Sequence, residues 1–231
     1  MPLVRRRTSN LILGLLSLFA GRAEAQSSPS SIDVSATIGV TSDYRFRGIS
    51  LSNRRPALQG GVDIALPSGL FVGSWASTIS LYGGSRAELD IYGGYGTTLA
   101  GTDLTGTIYG YGYIGGHGVS YVELQGTATH MLGGIALQLE VDVAPHQSHA
   151  PGNLYLGAGL VAPIADTGIS LSTRIGHEDG GDDKWDWEAG VSCELSRWTL
   201  SASYVDSNYG RADRAGRLGS GAVMASVKTT F

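Results

Sequence analysis

The sequence lacks any apolar run long enough to cross a membrane as a helix. Such a helix needs about 20 mostly apolar residues, whereas the first apolar run, Leu11 to Gly21, has 11 and no run approaches 18. Helical membrane spans are therefore excluded. The chain also has a single cysteine, Cys193. One thiol cannot form an intramolecular disulfide, so stability must come from the fold and its solvent.

Positive charge is also scarce. The chain carries 16 Lys and Arg against 20 Asp and Glu, which gives a formal net charge of −4. Nucleic-acid binders show clustered Lys and Arg on one face or along one element, and no basic stripe of that kind occurs here. We therefore expect no nucleic-acid partner.

The first 25 residues have the three parts of a secretory signal peptide. A basic start at 5–7 precedes the short apolar run, and Ala23-Glu24-Ala25 has the small-x-small form of a cleavage site. Cleavage after Ala25 removes four arginines and one glutamate, which changes the formal charge from −4 to −7. The predicted organisation is a signal peptide at 1–25, a short periplasmic segment at 26–31 and a barrel at 32–231.

What the chain does contain is glycine, tyrosine and alternation. It has 35 glycines and 11 tyrosines, and apolar residues alternate with polar ones over segments of about ten residues, which is typical of transmembrane strands. Only a closed barrel lets strands cross a bilayer with every backbone group paired. The twelve candidate strands are 32–46, 57–66, 70–79, 87–99, 104–114, 119–129, 135–144, 154–165, 169–177, 185–195, 198–204 and 221–231.

The predicted connections alternate between short and long, which a soluble β-sandwich has no reason to show. The short ones are 67–69, 100–103, 130–134, 166–168 and 196–197, and the longer ones are 47–56, 80–86, 115–118, 145–152, 178–184 and 206–219. Short periplasmic turns and longer extracellular loops are typical of outer-membrane barrels. We predict an all-β, antiparallel transmembrane β-barrel of about 12 strands in the bacterial outer membrane, surrounded by its lipids and reached through the periplasm.

Aromatic residues stand where such strands would meet the membrane interfaces. Trp185 and Trp187 begin a strand after a long loop, while Trp198 and Phe231 lie at the other end, as in an interfacial girdle. The last strand also stops on Phe231. A terminal Phe on an alternating strand resembles the end recognised by the barrel assembly machinery, so we expect that machinery as a partner and Phe231 as an assembly signal.

Residues 38–63 read IGVTSDYRFRGISLSNRRPALQGGVD, and residues 67–77 read PSGLFVGSWAS. These segments resemble the opening motif of a proteobacterial family of uncharacterised outer-membrane proteins labelled as porins of the TorF type. The resemblance is dense over residues 38 to 77 and only compositional afterwards. It implies a full-length barrel with a transport role, and it brings no catalytic or ligand residues.

The strand face opposite the apolar one is predicted to line the lumen, because a midplane Arg or Lys facing lipid costs about 2 to 4 kcal/mol. The pore-lining candidates are Asp63, Glu88, Asp90, Glu123, Glu140, Asp142, Arg174, Asp186 and Glu188. Acidic rings attract cations, so the predicted function is a porin-like channel for passive passage of small solutes, preferring cations. Twelve strands lie between the filled and the channel-forming sizes. A structural or adhesive barrel with a plugged lumen is therefore the alternative.

Two features of the pattern leave their interpretation open. In Leu104 to Ile114, tyrosines alternate with glycines, and the alternation does not decide which set meets lipid. Asp43, Arg45 and Arg47 alternate at the top of the first predicted strand and are followed by Arg54 and Arg55. They form either a gating or solute-clamping cluster at the outer mouth, or rim salt bridges that hold the first loop against the barrel.

The sequence predicts no enzyme, no cofactor and no metal. It has no Gly-x-Ser-x-Gly elbow, although an outer-membrane lipid hydrolase that pairs a serine with His177 is a further alternative. His146 and His149 lack further ligands for a metal. The acidic segment Glu178 to Asp183 does not have the spacing of an EF-hand. Both are interpreted as solvated loops.

Overall fold

The computed structural model describes residues 31–146, 152–180, 183–211 and 214–231. The predicted signal peptide and most of the segment at 26–31 therefore lie outside the described residues. The strands are β1 Asp33–Thr41, β2 Arg45–Phe46, β3 Ile49–Ser50, β4 Ala57–Ala65, β5 Leu70–Tyr82, β6 Ser85–Leu99, β7 Thr102–Tyr113, β8 Tyr121–Leu132, β9 Ile135–Ala144, β10 Asn153–Ile164, β11 Ile169–Asp179, β12 Lys184–Leu195, β13 Trp198–Ser207 and β14 Ala222–Thr230. In these ranges, no helix is long and apolar enough to cross a membrane.

Twelve of these strands form a closed antiparallel barrel, which confirms the predicted fold. The barrel strands β4 to β14 follow one another in chain order, and β1 pairs with both β4 and β14 to close the ring. The chain end contributes to the closure: the backbone N–H of Phe231 donates to the carbonyl oxygen of Ala36 at 2.9 Å, and Ala36 N–H donates back at 3.3 Å. A ring of this kind leaves no unpaired strand edge.

Alternation along each strand sorts the side chains between the two faces of the wall. Apolar side chains such as Val40, Leu58 and Ile91 are exposed on the outside, as expected for a surface that contacts hydrocarbon. Tyr109, Tyr111 and Tyr113 are buried in the interior, so the glycines that alternate with them face outward. The structure thereby decides the face that the sequence of β7 left open.

The two ends of the barrel differ in their connections. At one end, the short-turn end, strands are joined by 66–69, 100–101, 133–134, 165–168 and 196–197. At the other, the long-loop end, the longest connections are 42–56 and 208–221. The predicted long loop at 80–86 is wrong: β5 and β6 extend through it to a two-residue turn at Gly83-Gly84, both at positive φ. Such a turn matches the twist of the strands that it joins.

The first predicted strand, 32–46, is too long. Strand β1 ends at Thr41, and the chain then enters the interior as a segment that we call the inner hairpin, residues 42–56, which contains β2 and β3. The reversal occurs at Arg47 (φ 45°) and Gly48 (φ 83°). Polar alternation continues past Thr41, but the charged side chains there find partners inside the barrel rather than along its wall.

Aromatic side chains mark both ends of the outer surface, as the sequence predicts. Trp185 and Trp187 are exposed at the long-loop end of β12, and Trp198 and Phe231 are exposed at the short-turn end. The Arg197 guanidinium lies 5.7 and 5.6 Å from the ring centroids of Trp198 and Phe231. Amphipathic rings at these two levels are typical of membrane–water interfaces.

Candidate functional site

The candidate site is the barrel interior at the long-loop end, where the inner hairpin meets the wall. The structure places all nine residues proposed from the sequence as pore-lining inside the barrel. Most are buried. Glu140 is half-buried, and the Arg174 side chain is 9% exposed. Six of them form three groups: Glu123 with Asp142, which share Arg47, Arg174 with Asp186, and Glu88 with Asp90. Whether they line an open path for solutes stays a prediction.

The inner hairpin is fixed by its own polar side chains. The Asp43 carboxylate accepts hydrogen bonds from Arg45 Nε at 2.8 Å, Ser50 Oγ at 2.5 Å and Ser52 Oγ at 3.0 Å. Arg45 Nη1 in turn donates to the carbonyl oxygen of Gly48 at 2.9 Å. These bonds join both arms of the hairpin, so the segment is held as one unit inside the lumen.

Arg47 connects the hairpin to the wall. Its Nη2 lies 2.7 Å from Glu123 Oε1 and 2.6 Å from Asp142 Oδ2, and its Nη1 donates to Glu123 Oε2 at 3.2 Å. The guanidinium carbon lies 4.1 Å from the ring centroid of Tyr155 and 4.7 Å from that of Phe46. We call Glu123, Asp142 and Tyr155, which are all wall residues, the latch site.

The neighbouring carboxylates stabilise the positive charge of Arg47. Burial alone would lower the pKa of the Arg47 guanidinium, but the carboxylates of Glu123 and Asp142 raise that pKa above its ordinary value. Breaking a buried pair by removing one partner typically costs about 3 to 5 kcal/mol, because the other charge is left buried and unpaired. The contact therefore stabilises the docked hairpin strongly.

The opposite wall approaches the hairpin closely at Gly48. A Cβ on Gly48 would lie 2.7 Å from the Cβ of Ser207 and 3.0 Å from both the Cβ of Asp186 and the carbonyl oxygen of Asp206. Between the hairpin and the wall of β13 and β14 the cavity measures about 10 Å³, which is about the space of one water. The hairpin thus spans the lumen from β8 and β9 to β12 and β13.

An aromatic wall covers the third side of the hairpin. Tyr44 packs edge-on against Trp75 with ring centroids 5.4 Å apart, and Phe46 lies 6.0 Å from Tyr111. The wall continues along β6, β7 and β8 through the ring pairs Tyr92–Tyr109, Tyr109–Tyr111 and Tyr111–Tyr121. Offset and tilted pairs of this kind add to the apolar burial, so the hairpin has an apolar as well as an ionic anchor.

Among the described residues, two carboxylates beside this wall have no cationic partner. Glu88 and Asp90 are 2% and 0% exposed, and Tyr113 Oη donates to Glu88 Oε1 at 3.5 Å. Neither oxygen of Asp90 has a hydrogen-bond partner among the described residues. Nearer the short-turn end, the Tyr92 hydroxyl donates to Asp63. The negative excess inside the barrel is therefore only partly neutralised by protein groups.

The cluster of Asp43, Arg45 and Arg47 does not lie at the outer rim, where both sequence interpretations put it. It lies inside the lumen, because the wall supplies Glu123 and Asp142 as partners for Arg47. Only Arg54 and Arg55 stay exposed at the rim, and Arg54 donates to two carbonyl oxygens of the last loop. The charged residues at 43–47 indicate that these side chains need partners of opposite charge. The sequence does not show where those partners lie.

The remaining sequence candidates form no catalytic or metal centre among the described residues. His177 points outward, pairs with Asp183 and lies with its ring centroid 4.5 Å from that of Trp185 in a tilted contact. Its register neighbours Leu156 and Trp185 carry no hydroxyl. Glu178 is paired with Lys184 at 2.5 Å. The described parts of the chain hold no group of three or more His, Cys, Asp or Glu suited to a metal; His149 and residues 181–182 lie outside them.

Comparison with known protein families gives the chain a family but not a function. The family model described as a bacterial protein of unknown function, Gcw_chp, matches residues 23–231. The chain belongs to the Gcw_chp family. That description names no activity, so the porin label implied by the resemblance of residues 38 to 77 stays a prediction. No curated protein matches this Gcw_chp chain.

Several solved structures share the architecture of this Gcw_chp barrel. The KdgM porin aligns with a TM-score of 0.62 and 6% identity over 85% of this chain and 99% of that one. The NanC porin gives 0.56 and 8% over 86% and 99%. The COG4313 outer membrane channel from Pseudomonas putida F1 gives 0.54 and 13% over 90% and 97%. At these identities the likeness establishes the fold alone.

Proposed function

We propose that the protein is an outer-membrane channel for the passive passage of small solutes, that it prefers cations, and that the inner hairpin closes it at rest. The long-loop end would face the exterior and the short-turn end the periplasm. The observation that carries the proposal is a barrel of porin-like architecture whose described interior is acidic and is crossed by the docked inner hairpin. Aligned porins and channels of similar size support the transport role.

The cation preference is supported by the balance of charge on the wall. Among the described residues, all eight carboxylates proposed from the sequence face the interior, whereas the inward basic groups on the wall are Arg174, Lys184 and Lys228. Charges along a narrow passage with low-dielectric walls focus the field on permeating ions. An acidic passage concentrates cations and repels anions.

A barrel without an open pore is the second candidate, and the docked hairpin is the observation that favours it. Planar bilayers with the purified full-length protein separate the two. A channel should give discrete conductance steps, and its reversal potential in a KCl gradient should have the sign of cation permeation. Selectivity should fall as the salt concentration rises, since the Debye length shortens from about 8 Å at 0.15 M to about 3 Å at 1 M.

The matched variant removes two wall charges that do not bind the hairpin. Glu140 and Glu188 each lie one inward position nearer the short-turn end than Asp142 and Asp186. Glu140→Gln combined with Glu188→Gln should move the reversal potential toward the non-selective value. Asp166→Asn, in an exposed turn, is the control and should leave it unchanged. An anion-selective wild type, or a silent one that stays silent when the hairpin is released, would refute the proposed channel.

A further inference from the structure

The surroundings of the Arg47 guanidinium have the composition of a receptor for organic cations. Two carboxylates accept its N–H groups at 2.6 to 3.2 Å, and the ring centroid of Tyr155 lies 4.1 Å from its central carbon. Charge-assisted, forked hydrogen bonds select the planar guanidinium. Ring faces attract the same cation, most strongly where water is excluded. Each of these contacts is made to the guanidinium itself. A free solute that carries such a group would therefore make the same contacts.

The latch site is built into the wall and does not depend on the hairpin for its shape. Tyr155 receives a hydrogen bond from Arg174 Nη1, and Arg174 Nη2 lies 2.9 Å from Asp186 Oδ1. The ring fits there because position 176 on the neighbouring strand is glycine; a Cβ would overlap the Tyr155 hydroxyl. The aromatic side of the site is therefore held by β10, β11 and β12, and it would persist after the hairpin has left.

The wall also offers more acceptor capacity than Arg47 uses. Asp142 is fully buried, and its Oδ1 has no hydrogen-bond partner among the described residues. A ligand with more donors than the arginine fork presents in this pose can satisfy that oxygen. Buried acceptors without partners are costly, so this carboxylate oxygen favours a cation that reaches it.

We propose that Glu123, Asp142 and Tyr155 form a recognition site for solutes that carry a guanidinium or ammonium group, and that Arg47 occupies this site as an internal ligand. The proposal rests on the proposed channel function and names its substrate class. A cationic solute that enters from the long-loop end competes with Arg47 for the two carboxylates. Binding of the solute releases the inner hairpin, so the channel opens to the solutes that it recognises.

The competition explains why the wild type should bind a free cation weakly. A tethered ligand acts at an effective concentration in the millimolar range or above, and a free solute must exceed it to displace Arg47. Removing the Arg47 side chain beyond Cβ leaves a space that ethylguanidinium fills, since this ion reproduces the missing Cγ, Cδ and guanidinium atoms. Ethylurea has the same shape without the charge.

The test is calorimetric titration of ethylguanidinium into folded, detergent-solubilised protein, with folding checked by heat-modifiable gel mobility. Arg47→Ala should bind at least tenfold more tightly than the wild type. Ethylurea should not bind, and adding Glu123→Gln and Asp142→Asn should remove the binding. Where Arg47→Ala does not fold, Arg47→Lys keeps the charge but loses the fork, and it should bind ethylguanidinium more tightly than the wild type.

Equal titrations for wild type and both position-47 variants, or equal binding of ethylurea, would overturn the inference. The same variants in planar bilayers distinguish a failure of the recognition site from a failure of the proposed channel function. An Arg47→Ala channel that conducts and is blocked by ethylguanidinium, but not by ethylurea, supports both. An Arg47→Ala channel that conducts without binding the cation overturns the recognition site but not the proposed channel function. Binding without conductance in any variant overturns the channel role, and with it the assignment of the site to transported solutes.

Discussion

Replacing Gly48 with alanine should undock the inner hairpin without removing any charge. Gly48 has φ 83°, in the left-handed region that costs an L-residue about 1 to 2 kcal/mol. Its new Cβ would lie 2.7 Å from the Cβ of Ser207 and 3.0 Å from the carbonyl oxygen of Asp206. Both are on β13, where they pair with residues of β12, so this part of the strand cannot shift without disturbing that pairing.

The magnitude follows from these two costs. Overpacking of this kind typically adds about 1 to 3 kcal/mol, so the docked state loses about 2 to 5 kcal/mol in total. Every 1.4 kcal/mol is a tenfold change. The ratio of docked to undocked hairpin should therefore fall by a factor of about 30 to about 4,000.

Two measurements check this on the same preparation. In planar bilayers, Gly48→Ala should show larger or more frequent conductance steps than the wild type. In detergent, trypsin should cut the variant at Arg45 and Arg47, which are buried in the docked hairpin. The control is Gly115→Ala, at φ 74° with no atom within 4 Å of the new Cβ, which carries similar backbone strain outside the lumen. Wild-type conductance together with wild-type resistance to trypsin would refute the docking argument.

Two further predictions concern the wall. Deleting Phe231 removes both the closing hydrogen bonds to Ala36 and the ring, whereas Phe231→Ala removes the ring alone. If the ring is the assembly signal, both should lower the amount of heat-modifiable barrel in the outer membrane; a normal level of the alanine variant would contradict it. Gly176→Ala should lower the unfolding temperature in detergent, because overpacking against Tyr155 costs about 1 to 3 kcal/mol. Gly110→Ala, whose outward Cβ would lie 3.7 Å from the carbonyl oxygen of Ile91, should leave that temperature nearly unchanged.

Much of the barrel could be predicted from the sequence, because period-two alternation is a local property. The strand count follows from the alternating segments and the turns between them, and closure follows from the need to pair every backbone group in the bilayer. The inward placement of acidic side chains follows from the cost of facing hydrocarbon with a charged group. The same reasoning failed where both faces of a segment carry side chains that tolerate either environment. Tyrosine and glycine alternate in β7, and only the packing of rings across β5 to β8 turns the tyrosines inward.

The fate of residues 42–56 could not be read from alternation. The segment continues the pattern of a strand through Phe46, yet the wall strand ends at Thr41. What decides its path is the set of partners for Arg47, which come from positions 76 and 95 residues away. No local pattern contains that information.

The sequence by itself determined the ring of twelve strands and the sign of charge inside it, since both depend on spacing along each strand and on the solvent outside. Only the tertiary structure decided what fills the ring. Closure brings Glu123 and Asp142 side by side on β8 and β9 and sets Asp186 and Ser207 across from them. A buried arginine needs such partners at hydrogen-bond distance, and strands far apart in sequence supply them only once the barrel has closed.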